Sequence, residues 1–166
     1  MAPWAPERYW SAIREERARF AAELAALPLE AWSAPTLCGA WSVEDVVAHL
    51  TAGARTGRWA WLGEVVVHGT DVREPLGLPG VPDPETVEAV AVGYARRDFA
   101  VASRTVAKGV RLVADDSGFC AGDGPEVTGT TLDLVMAMAG RPSAVGRLAG
   151  EGAPVLAAAV ARRQRR

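Results

Sequence analysis

The chain has 166 residues, which suffices for one sizeable hydrophobic core or for two small cores that share an interface. Hydrophobic residues make up 49% and charged residues 23%, so the composition excludes intrinsic disorder. The formal net charge of −2 argues against a dedicated nucleic-acid-binding protein, which normally has a strongly basic face.

The sequence also bears on cellular location. Residues 1–7 lack a basic region followed by an apolar run, and no apolar stretch approaches the roughly 20 residues that span a bilayer. Cys38 and Cys120 lie in no paired motif, so we expect two unbridged thiols, each a packed apolar residue or a reactive nucleophile. The basic residues at 162–166 form a solvated helix end or, alternatively, a nucleic-acid or membrane contact. We expect a cytoplasmic protein that binds neither membrane nor nucleic acid.

Helices are predicted for the first part of the chain. Residues 7–27 have apolar positions close to a 3.6-residue period, and residues 28–40 form a packed connection. Ser42 precedes two acidic residues and caps a second helix that ends by about Thr56. A third helix covers residues 59–69, although three consecutive valines favour a strand there. The prolines and glycines at 75–82 predict a loop.

A fourth helix begins at Asp83 and Pro84 and extends to about Val106. Short strands at 110–114, from Phe119, and at 126–128 then alternate with turns. Two further helices are predicted, at about 130–139 and 154–163. The predicted fold class is therefore α+β, with a helical domain at 1–106 and a small α/β domain at 107–166.

The two histidines suggest a metal site. Glu64 and His68 are four residues apart and lie on one face of the third helix. His49, from the second helix, could add a third ligand, and two nitrogens with one oxygen are typical of catalytic zinc. Asp71 could orient an imidazole or replace a weak ligand. The alternative is a surface pair of Glu64 and His68, with His49 as a core residue.

Three ordered motifs resemble those of the mycothiol-dependent maleylpyruvate isomerase family, a branch of the DinB-like metalloproteins. The first is LCGAWSVEDVVAHL at 37–50, and the second is EVVVHGTDVREPLG at 64–77. The third comprises Asp115, GPEVTG at 124–129 and AGRP at 139–142.

The resemblance implies a helical-bundle N-terminal domain and a small sterol-carrier-like C-terminal domain. It also implies a divalent metal, commonly zinc, whose histidine, glutamate and histidine ligands fall on His49, Glu64 and His68. Family members of known activity use mycothiol as thiol cofactor in isomerase or transferase chemistry.

The chain departs from the family pattern in one place. Only fourteen residues separate His49 from Glu64, whereas relatives usually have a whole helix there. With a tight turn near Arg55, His68 would lie about 10 Å further along the helix axis than His49. One ion can bind all three only if the helices cross steeply, the turn is longer, or a partner chain supplies a ligand.

Further candidates surround this metal site. Arg73 could clamp a carboxylate of substrate or thiol cofactor, or form a salt bridge at the rim. We assign Arg73 and Asp71 as candidate catalytic residues, and Arg73 and Trp41 as candidate cofactor-binding residues.

The sequence supports two functions. One is an enzyme that uses a metal-activated thiol, mycothiol or a similar small thiol, on an electrophilic small-molecule substrate. The other is a non-catalytic family member that binds a metal or a ligand. The missing helix would also expose apolar side chains at Trp59, Trp61, Val65 and Val66, which predicts a homodimer.

Overall fold

The computed structural model describes residues 4–52, 58–99 and 101–165, and its helices and short sheet confirm the α+β class. These residues form two compact units, which divide between Asp83 and Pro84. The sequence predicted a boundary between residues 106 and 107. The difference arises from the fourth helix, which packs with the C-terminal elements.

The N-terminal unit consists of helices. They are α1 (Pro6–Ala25), a short 3-10 helix (Leu29–Ser33), α2 (Val43–Thr51) and α3 (Arg58–Leu76). Helix α3 packs against both α1 and α2. Helix α2 ends earlier than expected, and the predicted turn near Arg55 lies outside the described residues.

Helix α3 is longer than predicted, and the valine run does not make it a strand. Val65, Val66 and Val67 are all buried, as is Leu62 on the preceding turn. A helix that is apolar on all sides is stable when it is buried, so packing overrides the strand propensity of valine. The helix ends where the Leu78 amide donates to the Arg73 carbonyl at 3.0 Å and Gly77 adopts a φ of +61°. This glycine-containing C-terminal cap ends α3 just after Arg73, so both Asp71 and Arg73 lie within the helix.

A buried ion network joins α1 to α3. Glu16 is fully buried on the apolar stripe of α1, and its carboxylate accepts from Arg73 at 2.5 Å and from Arg19 at 2.9 Å. The Nε of Arg73 also donates to Glu23 at 2.7 Å. The Arg73 guanidinium is therefore shared between two carboxylates and is itself buried.

The apolar patch from which the homodimer was predicted is not exposed. Val65 and Val66 are fully buried, Trp61 is 7% exposed and Trp59 is half-buried. The homodimer therefore remains a prediction, but an exposed apolar patch at these residues no longer supports it.

The C-terminal unit carries the remaining elements. Its helices are α4 (Pro84–Arg96), α5 (Ser103–Val106), α6 (Thr131–Met138), α7 (Pro142–Val145) and α8 (Ala153–Gln164). Its strands are β1 (Arg111–Ala114), β2 (Cys120–Gly122) and β3 (Glu126–Gly129). The sheet order is β2-β1-β3, with β1 antiparallel to β2 and parallel to β3.

Helix α4 ends ten residues before the predicted end at Val106. The hydroxyl of Ser103 donates to the Tyr94 carbonyl at 2.9 Å and so satisfies a group at the end of α4. The carboxylate of Asp98 accepts from the Thr105 amide at 2.9 Å. Such side-chain bonds to the backbone compete with a continuous helix, which accounts for the break between α4 and α5.

Neither a disulfide nor a membrane-spanning helix is found among the described residues. Cys38 and Cys120 are free thiols, as predicted. Among the described residues, no helix is long and apolar enough to cross a membrane.

We predict that Arg73→Ala lowers the free energy of unfolding by about 3–5 kcal/mol, because it leaves the buried Glu16 without its closest cation. Urea unfolding, followed by tryptophan fluorescence, measures this loss. The control Arg14→Ala alters an exposed arginine of α1 and should change stability by less than about 0.5 kcal/mol. Equal, small effects of both substitutions would contradict a stabilising role for the network.

Candidate metal centre

Local sequence fixes the start of α2 and hence the position of His49. The Ser42 hydroxyl accepts from the Asp45 amide at 3.2 Å, and the Asp45 carboxylate accepts from the Ser42 amide at 2.9 Å. This reciprocal capping box anchors the first turn of α2. Val46 and Leu50 then face the core, while His49 lies beside this apolar stripe with 41% of its side chain exposed.

Three side chains meet between α2 and α3. The Oε2 atom of Glu64 lies 3.0 Å from Nε2 of His49 and 3.2 Å from Nε2 of His68. The three ligand atoms all lie within 4.8 Å of one another. We call His49, Glu64 and His68 the ligand triad. The short connection between α2 and α3 therefore does not keep His68 away from His49.

The separations in the triad fit a small divalent ion. Two ligands that each lie about 2.0–2.1 Å from a tetrahedral zinc are about 3.3 Å apart. The two distances from Glu64 to the imidazoles are close to that value. The donor set of two nitrogens and one carboxylate oxygen also matches zinc, and leaves room for a fourth ligand. The residues present therefore fit the metal that the family motifs imply.

A second cluster shares His68 with the triad. The Nδ1 atom of His68 lies 3.0 Å from Oδ2 of the fully buried Asp71. The thiol of Cys38 is within 4.8 Å of ligand atoms of both residues. Asp71 can therefore hold a proton on Nδ1 and direct Nε2 of the same ring toward the triad.

A proline accounts for the position of Cys38. Pro75 has no amide hydrogen, so the Asp71 carbonyl lacks its usual partner four residues later in α3. This carbonyl accepts instead from the Leu37 amide at 3.0 Å. The bond fastens the loop before α2 to α3 and brings Cys38 beside His68. Sequence reasoning missed this contact, although a proline four residues after Asp71 signals a carbonyl that needs another donor.

Trp41 covers one side of the triad. Its ring stacks on that of His68 with centroids 5.7 Å apart, and lies 5.1 Å from that of His49. The side chain is at the surface, with 36% of the residue exposed. Trp41 can thus form a wall of any pocket at the site. Arg73 lies on the same helix as Glu64 and His68, but Glu16 and Glu23 occupy its guanidinium.

The electrostatics of the site favour a cation. Burial opposes ionisation of Glu64, but hydrogen bonds from His68 and His49 outweigh it and lower the pKa of Glu64. Burial likewise opposes protonation of His68, yet hydrogen bonds with Asp71, Cys38 and Glu64 raise its pKa to about 11. Without a metal, His68 is therefore a cation between two carboxylates, and a divalent ion would compete with its proton.

We predict that Asp71→Asn weakens zinc binding by about 10- to 100-fold, because the amide no longer polarises the His68 ring. Competition with a zinc-sensitive chelating dye measures the affinity. The matched control is Glu44→Gln, which neutralises an exposed acid of α2. Unchanged zinc affinity in the Asp71 variant would contradict the orienting role.

The raised pKa of His68 also predicts a pH dependence of the metal-free protein. Its folded-state pKa of about 11 exceeds the ordinary value of 6.5, so proton binding stabilises the folded chain most at low pH. This contribution declines as the pH rises from about 6.5 toward about 11. The stability advantage of the wild type over His68→Gln, measured in urea with chelator, should therefore shrink between pH 6.5 and pH 9. A growing advantage would contradict the assigned pKa.

Comparison with known proteins supports the motif-based prediction. Residues 13–61 match the family model of the mycothiol maleylpyruvate isomerase N-terminal domain. The match includes α2 and His49, and it ends before Glu64 and His68. No curated protein and no solved structure matches the chain at a significant level. Over residues 13–61, less than half of its length, the chain is therefore similar to the N-terminal domain of the mycothiol maleylpyruvate isomerase family.

Proposed function

We propose that the chain is a metal-dependent enzyme that uses a small thiol, mycothiol or a similar one, in isomerase or S-transferase chemistry. Its substrate would be an electrophilic small molecule, and its location the cytoplasm. The observation that carries this proposal is the convergence of two imidazoles and one carboxylate within 4.8 Å, where His49 lies inside the segment that matches the family model. The shortened N-terminal unit would be DinB-like, and the C-terminal unit sterol-carrier-like.

The triad would hold a divalent ion, and its nitrogen and oxygen donors suit zinc. A bound zinc lowers the pKa of a coordinated thiol and so supplies a thiolate nucleophile at neutral pH. His49, Glu64 and His68 would leave one position free for such a thiol. Because Glu64 contacts both imidazoles, it would keep the two nitrogens at the spacing that the ion needs.

The remaining side chains would support this site. Asp71 would act as a positioning residue through the Nδ1 proton of His68. Trp41 would shield one side of the thiol and contact its apolar part. Arg73 was predicted to bind a carboxylate of substrate or cofactor. That role would require it to exchange Glu16 or Glu23 for the ligand, so we propose that Arg73 chiefly joins α3 to α1.

A second function has one observation in its favour. The chain has only fourteen residues between His49 and Glu64, and the family's intervening helix would normally supply pocket walls. A chain without those walls could retain the metal and bind a ligand without turnover. This alternative is a non-catalytic metal- or ligand-binding module.

Metal content and turnover test the proposal together. Tag-free protein, stripped with chelator and reloaded with zinc, should contain about one ion per chain. It should then isomerise maleylpyruvate when mycothiol is added. Glu64→Gln should lose both zinc and activity, because a neutral amide is a poor zinc ligand. The control Glu44→Gln should keep both.

The outcomes separate the two functions. Zinc binding that depends on Glu64, without thiol-dependent turnover of maleylpyruvate or other electrophiles, would favour the non-catalytic module. A wild-type protein that takes up no zinc on reconstitution would overturn both metal-based functions.

A further inference from the structure

The C-terminal unit contains a cleft of its own. It has a volume of about 490 Å³ and lies between the end of α4, helix α5 and the edge formed by β1 and β2. Pockets of this size accommodate small organic molecules. None of the ligand triad lines the cleft, so the proposed metal chemistry does not account for it.

Two cations are among the residues that line the cleft. Arg104 and Lys108 are four residues apart, both are exposed, and neither forms a salt bridge within the described part of the chain. Lys108 lies just beyond α5, and Arg104 is also attracted electrostatically to Asp98. An anion bound by both cations would gain two charged contacts, and the planar guanidinium of Arg104 suits the paired oxygens of a carboxylate or phosphate.

The two acids in the lining differ in availability. Both oxygens of Asp98 accept hydrogen bonds from Thr105, one from its amide at 2.9 Å and one from its hydroxyl at 2.5 Å. The Asp98 carboxylate is therefore already hydrogen-bonded within the segment that separates α4 from α5. Asp123 follows β2 and makes no hydrogen bond or salt bridge among the described residues. It remains available to accept from a hydroxyl or an ammonium group.

Small residues keep the rest of the cleft open. Gly122 has a φ of +83°, and a Cβ there would lie 2.4 Å from the Val110 carbonyl oxygen, so no side chain fits. Gly109 has a φ of +88°, and its missing Cβ would meet nothing within 4 Å. The other lining residues include Ala95, Ala107 and Ala121. The lining thus combines two cations, an available carboxylate and several small residues, a set that suits a small organic anion with further polar groups better than a single inorganic ion.

We propose that this cleft binds a small polar organic anion. Its carboxylate or phosphate group binds Arg104 and Lys108, and a hydroxyl or ammonium group of the same molecule binds Asp123. This site is independent of the proposed metal-dependent reaction, because every residue it uses belongs to the C-terminal unit.

Calorimetric titration of the full chain with ribose 5-phosphate tests this assignment, with neutral ribose as the ligand control. We expect saturable, millimolar binding of the phosphate ester and none of ribose. The double variant Arg104→Gln/Lys108→Gln should bind roughly tenfold more weakly or worse, because two charged contacts to the anion are lost. The matched control Arg14→Gln/Arg165→Gln removes the same net charge from exposed arginines outside the cleft and should bind like the wild type.

Three results would overturn the proposal. One is the absence of saturable binding of ribose 5-phosphate to the wild type. Another is equal weakening in both double variants, which would mean that binding reflects only the overall charge. The third is ribose binding as tight as that of its phosphate, which would remove the role of the anionic group.

Discussion

The candidate site depends on one interaction. The carboxylate of Glu64 contacts two imidazoles, which come from two different helices of the N-terminal unit. Its Oε2 atom lies 3.0 Å from His49 and 3.2 Å from His68, and so joins α2 to α3 through polar atoms. The surrounding positions in α3 are valines packed in the core, which hold the carboxylate in place. A half-buried acid needs such partners, because an unpaired charge would be costly at this depth. The same arrangement presents ligand atoms at distances that suit a divalent ion.

Backbone chemistry supplies the second constraint. Pro75 frees the Asp71 carbonyl, and the Leu37 amide then binds it, so the loop before α2 lies against α3. The loop carries Cys38 and Trp41, which consequently lie beside His68. One imidazole thus belongs to two clusters, with Glu64 on one nitrogen and Asp71 on the other. The second cluster includes a thiol, which gives the protein an alternative ligand set for a soft metal.

Much of this arrangement followed from sequence, and the rest depended on long-range packing. The spacing of Glu64 and His68 predicted a shared helix face, and Ser42 followed by two acidic residues predicted the start of α2. Whether His49 would approach them depended on the crossing of α2 and α3, which no local pattern encodes. The sequence did contain an indication that a cation would be buried. Glu16 lies on the apolar stripe of α1, and a buried carboxylate there needs a cationic partner, which is Arg73. The break after α4 depended on Asp98 and Thr105, whose hydrogen bonds compete with a helix that propensity alone would continue.

The X-ray absorption spectrum of the zinc-loaded protein, without added thiol, tests the central claim most directly. We expect nitrogen and oxygen neighbours at about 2.0–2.1 Å and no sulfur, because the ion would bind His49, Glu64 and His68. A sulfur neighbour at about 2.3 Å would contradict that expectation, because the ion would then bind Cys38 in the cluster with His68 and Asp71.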